Sequence, residues 1–458
     1  MKKYIVMALC LAMSATMFAQ ETEAQKELKA EVNKGVVKFQ SEDGDYSFRV
    51  GGRVVLDGSH YVGGFTDRGS GAAMTSARLR IISKMGDKVD FKLDADFMSS
   101  TFIKDAYLRY HTSENGFVRF GNITEPFSAE NIISTFDEPF IAKSATMQAF
   151  GTGRAIGATY RHYHDYFWFE GGLFSEKIHA RKAGDMGWAA TARLLGRIQG
   201  DDYHFHLGGA VTTRRPDANG YADGSDDYNR TVTFSSNLES AIDNTHFLSA
   251  TANNAKNIFK YNIEAMGHYK NLYAKVEYTG VKVARERNWE ALCQSYAGSL
   301  MGLYMPTPAA AKAFLGEDLQ YNFSGYTAEV GMLVKGGDYK YNSVEALMRR
   351  PGAGSLELLA RYNHTDLNTI KEGSIFHNNG YTGAGFYSNA MMIAFYMKND
   401  SVAGGTADTF TLGANYFFTD QIVLRVNYNL AYYNNPYNLN YCYDNVMHAV
   451  QVRLGFEF

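Results

Sequence analysis

The sequence has few residues that interrupt or cross-link a chain, and beyond its first residues it has no long apolar run. Among 458 residues there are only 7 Pro, 3 Trp and 3 Cys. After residue 19, no apolar run approaches the roughly 18–20 residues that a membrane-spanning helix needs. This absence excludes a membrane protein built from helices.

A strong charge of either sign is also absent. Lys and Arg number 45 against 48 Asp and Glu, a near-neutral balance that argues against a bulk nucleic-acid binder. Beyond residue 19 only Cys293 and Cys442 remain, far apart in the sequence. We do not predict a disulfide between them, because spacing alone establishes no bond.

The first residues have the pattern of a secretory signal peptide. Lys2 and Lys3 form a basic start, residues 4–13 are apolar, and small residues precede a cleavage position after Ala19. We therefore predict a signal peptide over residues 1–19 and export of the mature chain. Export without a helical span leaves the periplasm, the exterior, or the outer membrane as a β-barrel.

Aromatic residues are abundant, with 32 Tyr and 30 Phe. Strand propensity accounts for part of this enrichment, and aromatic girdles at the two interfaces of a membrane barrel account for more. The composition therefore favours an all-β protein in the outer membrane.

The last residues alternate between an apolar and a polar face, as successive side chains of a strand do. One face carries Val450, Val452, Leu454, Phe456 and Phe458, and the other Ala449, Gln451, Arg453, Gly455 and Glu457. A terminus that stays paired is expected where a sheet closes on itself and leaves no edge. We predict a closing strand that pairs with the first one near Phe48 to Leu56, with its apolar face outward and Gln451 and Arg453 in the lumen.

The same alternation recurs along the chain and predicts a transmembrane antiparallel β-barrel of about sixteen strands over residues 46–458. Short turns, such as Gly86-Asp87, alternate with long connections, as in membrane barrels. The predicted strands are 46–57, 76–85, 88–98, 103–111, 116–123, 153–163, 166–175, 187–199, 203–214, 258–269, 272–283, 323–335, 355–365, 407–418, 421–432 and 446–458. Residues 339–348 are also strand-like, but an even strand count assigns 336–354 to a long periplasmic connection. Residues 20–45 are charged and helix-prone, and we predict a periplasmic lead-in there.

Alternation assigns a set of basic side chains to the water-filled interior, where rings of charge select ions. Arginine's planar fork suits phosphate and carboxylate groups. The candidate pore-lining and anion-binding residues are Arg53, Arg78, Arg80, Lys84, Lys92, Arg119, Arg193, Arg197 and Arg361 on strands, with Lys143 in a loop. The alternative for any one of them is an ordinary cross-strand pair with an acidic residue.

Other chemistry is not predicted. His204 and His206 are two residues apart, but no further ligands follow at a recognisable spacing, so we expect no metal site. We also find no nucleophile, base or carboxylate pair placed for catalysis, and no cofactor motif. No catalytic residue, cofactor or metal is therefore predicted.

Several short segments, in order, resemble the phosphate-selective porin family (porin O and P) of Gram-negative outer membranes. They include Gly51-Gly52-Arg53, Ala77-Arg78-Leu79-Arg80, residues 90–93, residues 104–107, Phe120-Gly121-Asn122, Pro126-Phe127-Ser128, residues 356–362, residues 366–368, residues 411–417 and Gln451-Val452-Arg453. One departure is Thr75-Ser76, where the family often has a pair of Arg.

The resemblance implies a homotrimer of sixteen-stranded barrels, each with its own pore. It implies that the third outer loop, about 124–152 with Lys143, folds inward, and that basic residues line a path for oxyanions. It also implies that the barrel assembly machinery recognises the terminal Phe458.

We therefore predict an outer-membrane porin, not an enzyme, that admits small hydrophilic solutes by diffusion with a weak preference for anions such as phosphate. A channel specific for phosphate or polyphosphate is the nearest alternative. A barrel that serves as scaffold for an outer-membrane enzyme and a secreted β-rich binding protein are alternatives from other classes.

Overall fold

The structure, a computed structural model, describes residues 28–33, 36–63, 68–175, 184–220, 230–315, 320–370, 401–435 and 445–458. The predicted signal peptide and Cys442 lie outside these ranges. The strands, in chain order, are β1 (Leu28–Asn33), β2 (Val36–Ser41), β3 (Tyr46–Val62), β4 (Gly71–Met85), β5 (Val89–Asp96), β6 (Ile103–Ser113), β7 (Gly116–Thr124), β8 (Arg154–Tyr163), β9 (Phe167–Phe174), β10 (Trp188–Gln199), β11 (Tyr203–Arg215), β12 (Thr231–Ser236), β13 (Leu248–Asn253), β14 (Ala255–Tyr269), β15 (Leu272–Arg285), β16 (Tyr321–Lys335), β17 (Tyr341–Asn342), β18 (Leu347–Met348), β19 (Leu356–Thr369), β20 (Val402–Phe417), β21 (Ile422–Asn434) and β22 (Val446–Glu457).

Sixteen of these strands, β3–β11, β14–β16 and β19–β22, form one closed antiparallel barrel. Each pairs with its neighbours along the chain, and β22 pairs with β3 to close the ring. Every predicted strand corresponds to one of the sixteen, so the predicted fold class and strand count are confirmed. The barrel has a turn end, where short connections and the C-terminus lie, and a loop end, where the long connections lie.

Alternation along each strand separates a wet interior from an apolar exterior. On β22, Val450, Val452 and Leu454 are 48%, 40% and 44% exposed on the outside, whereas Gln451 and Arg453 are buried inside. The predicted orientation of the closing strand is therefore confirmed. A strand pattern of this kind specifies register strongly, because a one-residue shift would turn every side chain to the opposite face.

The predicted pairing partner of the closing strand is partly wrong. β22 pairs with residues 53–62 of β3, from His448 opposite Val62 to Glu457 opposite Arg53. Phe48 lies opposite Phe39 of β2 instead. β3 continues to Val62, beyond the predicted end at residue 57, and the closing strand pairs along that extension. The first part of β3 is therefore left to pair with another segment.

That other segment is the lead-in, whose predicted helical character is wrong where the structure describes it. β1 and β2 form an antiparallel hairpin, and β2 continues onto β3. The alternating residues Val37 and Phe39 have strand propensity. The first part of β3 has an edge that β22 leaves unpaired, and hydrogen bonds to that edge stabilise a strand here more than local propensity stabilises a helix.

The connections carry the remaining elements. β12 and β13 pair with each other in the long connection between β11 and β14. The helices are α1 (Ala129–Ile132), α2 (Ala145–Phe150), α3 (Trp289–Tyr296) and α4 (Pro308–Leu315), with a 3-10 turn at Met301–Leu303. None of the helices in the described ranges is long and apolar enough to cross a bilayer.

Candidate functional site

The third loop-end connection, residues 125–153, lies inside the barrel, and we call it the inward segment. Its backbone amides at Ala129 and Glu130 donate to the carboxylates of Glu264 (2.8 Å) and Glu277 (3.1 Å) on β14 and β15. Nearly across the barrel, Arg53 of β3 donates to Ser134 at 2.8 Å. A segment bonded to both walls spans the lumen and narrows it.

The inward segment keeps its shape through its own polar groups. Ser128 and Ser144 cap α1 and α2, accepting from the amides of Asn131 and Met147. Lys143 donates its Nζ to the carbonyl oxygens of Glu130 (2.6 Å) and Asn131 (3.0 Å). Burial lowers the pKa of Lys143, opposed by the nearby carboxylates of Glu138 and Glu130. Lys143 thus cross-links the segment, and its side chain is not free in the lumen.

A second connection enters from the loop end at Leu238 and Glu239. Both have left-handed backbones, with φ of 56° and 64°, and both are buried. The Glu239 carboxylate accepts from Arg361 at 2.6 Å and from Thr409 and Thr411 at 2.7 Å. Strain of this kind at non-glycine residues persists only where surrounding contacts hold it.

A third element enters from the turn end, where residues 336–354 fold back into the barrel. We call it the turn insertion. Tyr341 of β17 stacks on His204, with ring centroids 3.5 Å apart, and its hydroxyl lies 2.6 Å from His206 Nδ1. The predicted location of 336–354 at the turn end agrees with the structure. Its fold into the lumen was not predicted.

The inward segment and the turn insertion meet in the middle of the lumen. Ala129 of the former belongs to the same buried cluster as Tyr339 of the latter, with Leu347 and Met348 packed against it. Arg350 of the insertion lies 4.5 Å from the ring centroid of Phe136. Together these two segments fill the lumen along the wall from β9 to β21, from Trp168 bonded to the insertion to Arg425 bonded to the inward segment.

Open space remains along the wall formed by β4–β8. A cavity of ≈ 160 Å³, here called the basic cavity, lies between this wall, the inward segment and Glu345 of the turn insertion. A larger cavity of ≈ 460 Å³ opens at the turn end beside Arg49, Arg350 and Glu457. Arg80 lines both, so the two cavities are neighbours along one wall.

Four of the predicted residues line the basic cavity from neighbouring strands: Arg78, Arg80, Lys92 and Arg119. Each also has an acidic partner, as the alternative interpretation expected. Arg78 Nε lies 3.0 Å from Asp96, Arg80 Nε 3.2 Å from Asp94, Lys92 Nζ 2.6 Å from Asp105, and Arg119 is bonded to Glu170. Cross-strand pairing and a location in the cavity thus occur in the same residues.

The structure places the other predicted strand residues elsewhere. Lys84 is partly exposed at the turn end, 3.3 Å from Asp87. Arg53 is buried beneath the inward segment and donates to Ser134 at 2.8 Å. Neither residue lines the basic cavity.

Three predicted cations hold the filled side of the lumen together. Arg193 is buried against Glu264, and Arg361 bonds Glu239 of the loop-end connection. Arg197 donates to the carbonyl of Ser343 in the turn insertion at 2.7 Å. These residues face inward as predicted, but other segments cover them.

Three cations of the basic cavity, Arg109, Arg154 and Arg161, were not among the predicted residues. Arg109 follows Asp105 with the same two-residue alternation, so the pattern contained that signal. Arg154 stands at the first position of β8 and pairs with Asp105 at 2.7 Å, a contact that alternation does not indicate. Arg161 lies between Tyr160 and His162, with Tyr163 next, so the alternation of apolar and polar residues is indistinct there.

Within the described ranges, no group of three or more His, Cys, Asp or Glu side chains is arranged to hold a metal ion. His204 and His206 face the turn insertion, where they contact Tyr341.

Comparison with known proteins places this arrangement in context. Residues 48–458 match the sequence model of a family described as phosphate-selective porin O and P. No curated protein matches the chain. Among similar solved structures, the outer-membrane expressed OmpT of Vibrio cholerae has 10% sequence identity and a TM-score of 0.50, over 90% of this chain and 98% of that chain. An anion-selective porin from Comamonas acidovorans has 11% identity and a TM-score of 0.49, over 90% and 100%. The likeness to OmpT shows a shared barrel fold.

Proposed function

The chain belongs to the phosphate-selective porin O and P family, and from that premise we propose that its barrel passes small hydrophilic solutes by diffusion with a weak preference for anions. The protein is an outer-membrane porin. A sixteen-stranded barrel is too wide for wall side chains alone to fill, so its selectivity depends on what lines the remaining path.

The observation that supports anion preference is the composition of the basic cavity. Seven cations line it: Arg78, Arg80, Lys92, Arg109, Arg119, Arg154 and Arg161. Four acids line it: Asp94, Asp105, Glu170 and Glu345. The lining has an excess of 7 − 4 = 3 positive charges, which Asp96 and Asp90, bonded to Arg78 and Arg109 from outside the lining, reduce to 7 − 6 = 1. The field in the cavity therefore attracts anions weakly.

Neutralising Arg78 and Arg80 tests this proposal. The double variant Arg78→Gln/Arg80→Gln should lower the permeability ratio of chloride over potassium by roughly twofold or more, because it removes two cations from a narrow path. Reversal potentials of purified protein in planar bilayers under a KCl gradient measure the ratio. Lys84→Gln removes one positive charge from a partly exposed position outside the basic cavity and should leave the ratio unchanged. An unaltered reversal potential in the double variant would contradict the proposal.

A channel specific for phosphate is the second candidate. It is favoured by the guanidinium groups of Arg109, Arg119 and Arg161, which line one cavity and suit oxyanions. Thr75 and Ser76, which stand where the family often has Arg, instead bond Asp57 at 2.6 Å and Asp96 at 3.1 Å. Block of chloride current by low phosphate concentrations would favour specificity over weak preference.

We also propose three features that family resemblance and the leader pattern support. These features are export of the chain through a signal peptide at residues 1–19, assembly of the barrel into a homotrimer, and recognition of Phe458 by the barrel assembly machinery. The mass of the detergent-solubilised complex measures the assembly, and the N-terminus of the mature protein locates the cleavage site.

A further inference from the structure

We propose that Glu345, at the tip of the turn insertion, is a tethered counter-anion of the basic cavity and determines how strongly permeating anions bind there. The inference rests on the proposed function and deepens it, since it assigns a specificity-determining residue to the same path. The residue belongs to a segment with no strand in the barrel wall.

The tip that carries Glu345 is preorganised. The side-chain oxygen of Asn342 accepts from the backbone amides of Val344 (3.1 Å) and Glu345 (3.2 Å), which fixes a tight turn. The next residue, Ala346, has a left-handed backbone with φ of 54° and is completely buried, in a cluster with Trp168 and Leu195. An apolar anchor and a side-chain-closed turn together hold the carboxylate at a defined position.

The tip presents acceptor oxygens of Val344 and Glu345 to hydrogen-bond donors on the wall. Arg161 Nη1 donates to the Glu345 carboxylate at 2.8 Å and to the carbonyl of Val344 at 2.9 Å. Trp168 Nε1 donates to the same carbonyl at 2.9 Å. The Glu345 carboxylate, bound by the Arg161 guanidinium, and the neighbouring Val344 carbonyl thus occupy the position that an incoming oxyanion would take.

Glu345 differs from the other acid that binds Arg161. Glu170 is completely buried and bridges Arg161 and Arg119, so it is part of the wall. The Glu345 side chain is 43% exposed and lines the basic cavity. Its carboxylate is therefore open to cavity water and in reach of solutes.

The charge of Glu345 persists across the physiological pH range. Burial by itself would raise the pKa of Glu345, but the guanidinium groups of Arg161, Arg119 and Arg109 outweigh it and lower the pKa to about 2. A permanently charged internal anion offsets part of the cationic field. Conduction requires binding that is strong enough to admit an ion and weak enough to release it, and a tethered competitor shifts the balance toward release.

The test compares Glu345→Gln, Glu345→Asp and Asp202→Asn as purified channels in planar bilayers, with inorganic phosphate as the probe. Asp202 is an exposed acid in a short connection at the turn end, 3.5 Å from Lys270, so its loss is the matched charge change outside the path. The readout is the phosphate concentration that halves chloride conductance in dilute KCl and in concentrated KCl.

In dilute salt, Glu345→Gln should lower the half-blocking phosphate concentration about fivefold, and concentrated salt should shrink this effect because it screens the charge. Glu345→Asp keeps the charge and should stay near wild type, as should Asp202→Asn. The inference is overturned if Glu345→Gln behaves like Asp202→Asn, or if Glu345→Asp matches Glu345→Gln, since the shape of the tip rather than its charge would then matter. A wild-type channel without anion preference would instead overturn the proposed function.

Discussion

Most carboxylates that face the filled side of the lumen bond a cation or a backbone amide, but Glu138 in the inward segment does not follow this pattern. Its Oε1 is buried and has no hydrogen-bond partner among the described residues. Burial raises the pKa of Glu138 to about 7, against the opposing influence of Lys143. A buried acid without donors favours its protonated form.

The raised pKa of Glu138 predicts a pH-dependent stability. The folded protein holds a proton that the unfolded chain releases near pH 4.5, so this contribution is fully present at low pH and is lost as pH rises toward 7. Glu138→Gln should remove that loss and raise stability at pH 8 by on the order of 3 kcal/mol. Thermal unfolding midpoints in detergent between pH 5 and pH 8 measure it. A variant that keeps the wild-type pH slope would contradict the prediction.

At the scale of elements, the closing strand depends on its last residue and on the glycine opposite. Phe458 donates its amide to Gly52 at 2.9 Å and accepts from the Gly52 amide at 2.7 Å. A Cβ on Gly52 would lie 2.6 Å from the carbonyl of Arg78 and 2.7 Å from the Phe458 ring, so only glycine fits. The paired terminus leaves no strand edge where the barrel closes.

Deletion of Phe458 should therefore impair assembly of the barrel more than the conductance of channels that do assemble. It removes both hydrogen bonds between Phe458 and Gly52 at the end of the seam but no group that lines the basic cavity. Heat-modifiable migration on gels measures assembly, and single-channel recording measures conductance. Phe418→Ala, an exposed aromatic near the same end, is the control and should assemble normally. Normal assembly of the deletion would argue against this role of the terminus.

At the scale of the whole molecule, conductance depends on the segments that enter the barrel rather than on the barrel itself. The residues that flank the turn insertion pair across β16 and β19, with Lys335 opposite Leu356. A short turn can therefore connect the two strands without residues 338–353. The insertion fills space that the wall does not need for closure.

Replacing residues 338–353 with a short Gly-Ser turn should raise single-channel conductance several-fold, because Tyr339, Tyr341, Leu347 and Met348 leave the lumen and water replaces them. The control removes α3 and α4 at the loop end. Partly buried apolar residues of those helices pack on one another around the buried side chains of Met305 and Ala311. The control deletion should leave conductance near wild type, and equal conductance in both deletions would show that the insertion does not limit flow.

The sequence by itself determined the barrel, because the two-residue alternation is a local property that each strand displays alone. This alternation was enough to predict the sixteen strands, the outward face of β22, and the inward direction of four cations, Arg78, Arg80, Lys92 and Arg119. Arg109 was within reach of the same pattern.

Only the tertiary structure decided which inward cations face open space. Arg193 and Arg361 have the same alternation as Arg78, yet buried acids of β14 and of the loop-end connection pair with them. The entry of residues 336–354 into the lumen, and with it Glu345, depends on contacts with Arg161, Trp168 and His206 from strands far away in sequence. Such contacts leave no periodic trace in the sequence, because they join a short irregular segment to a wall that exists only after the barrel has closed.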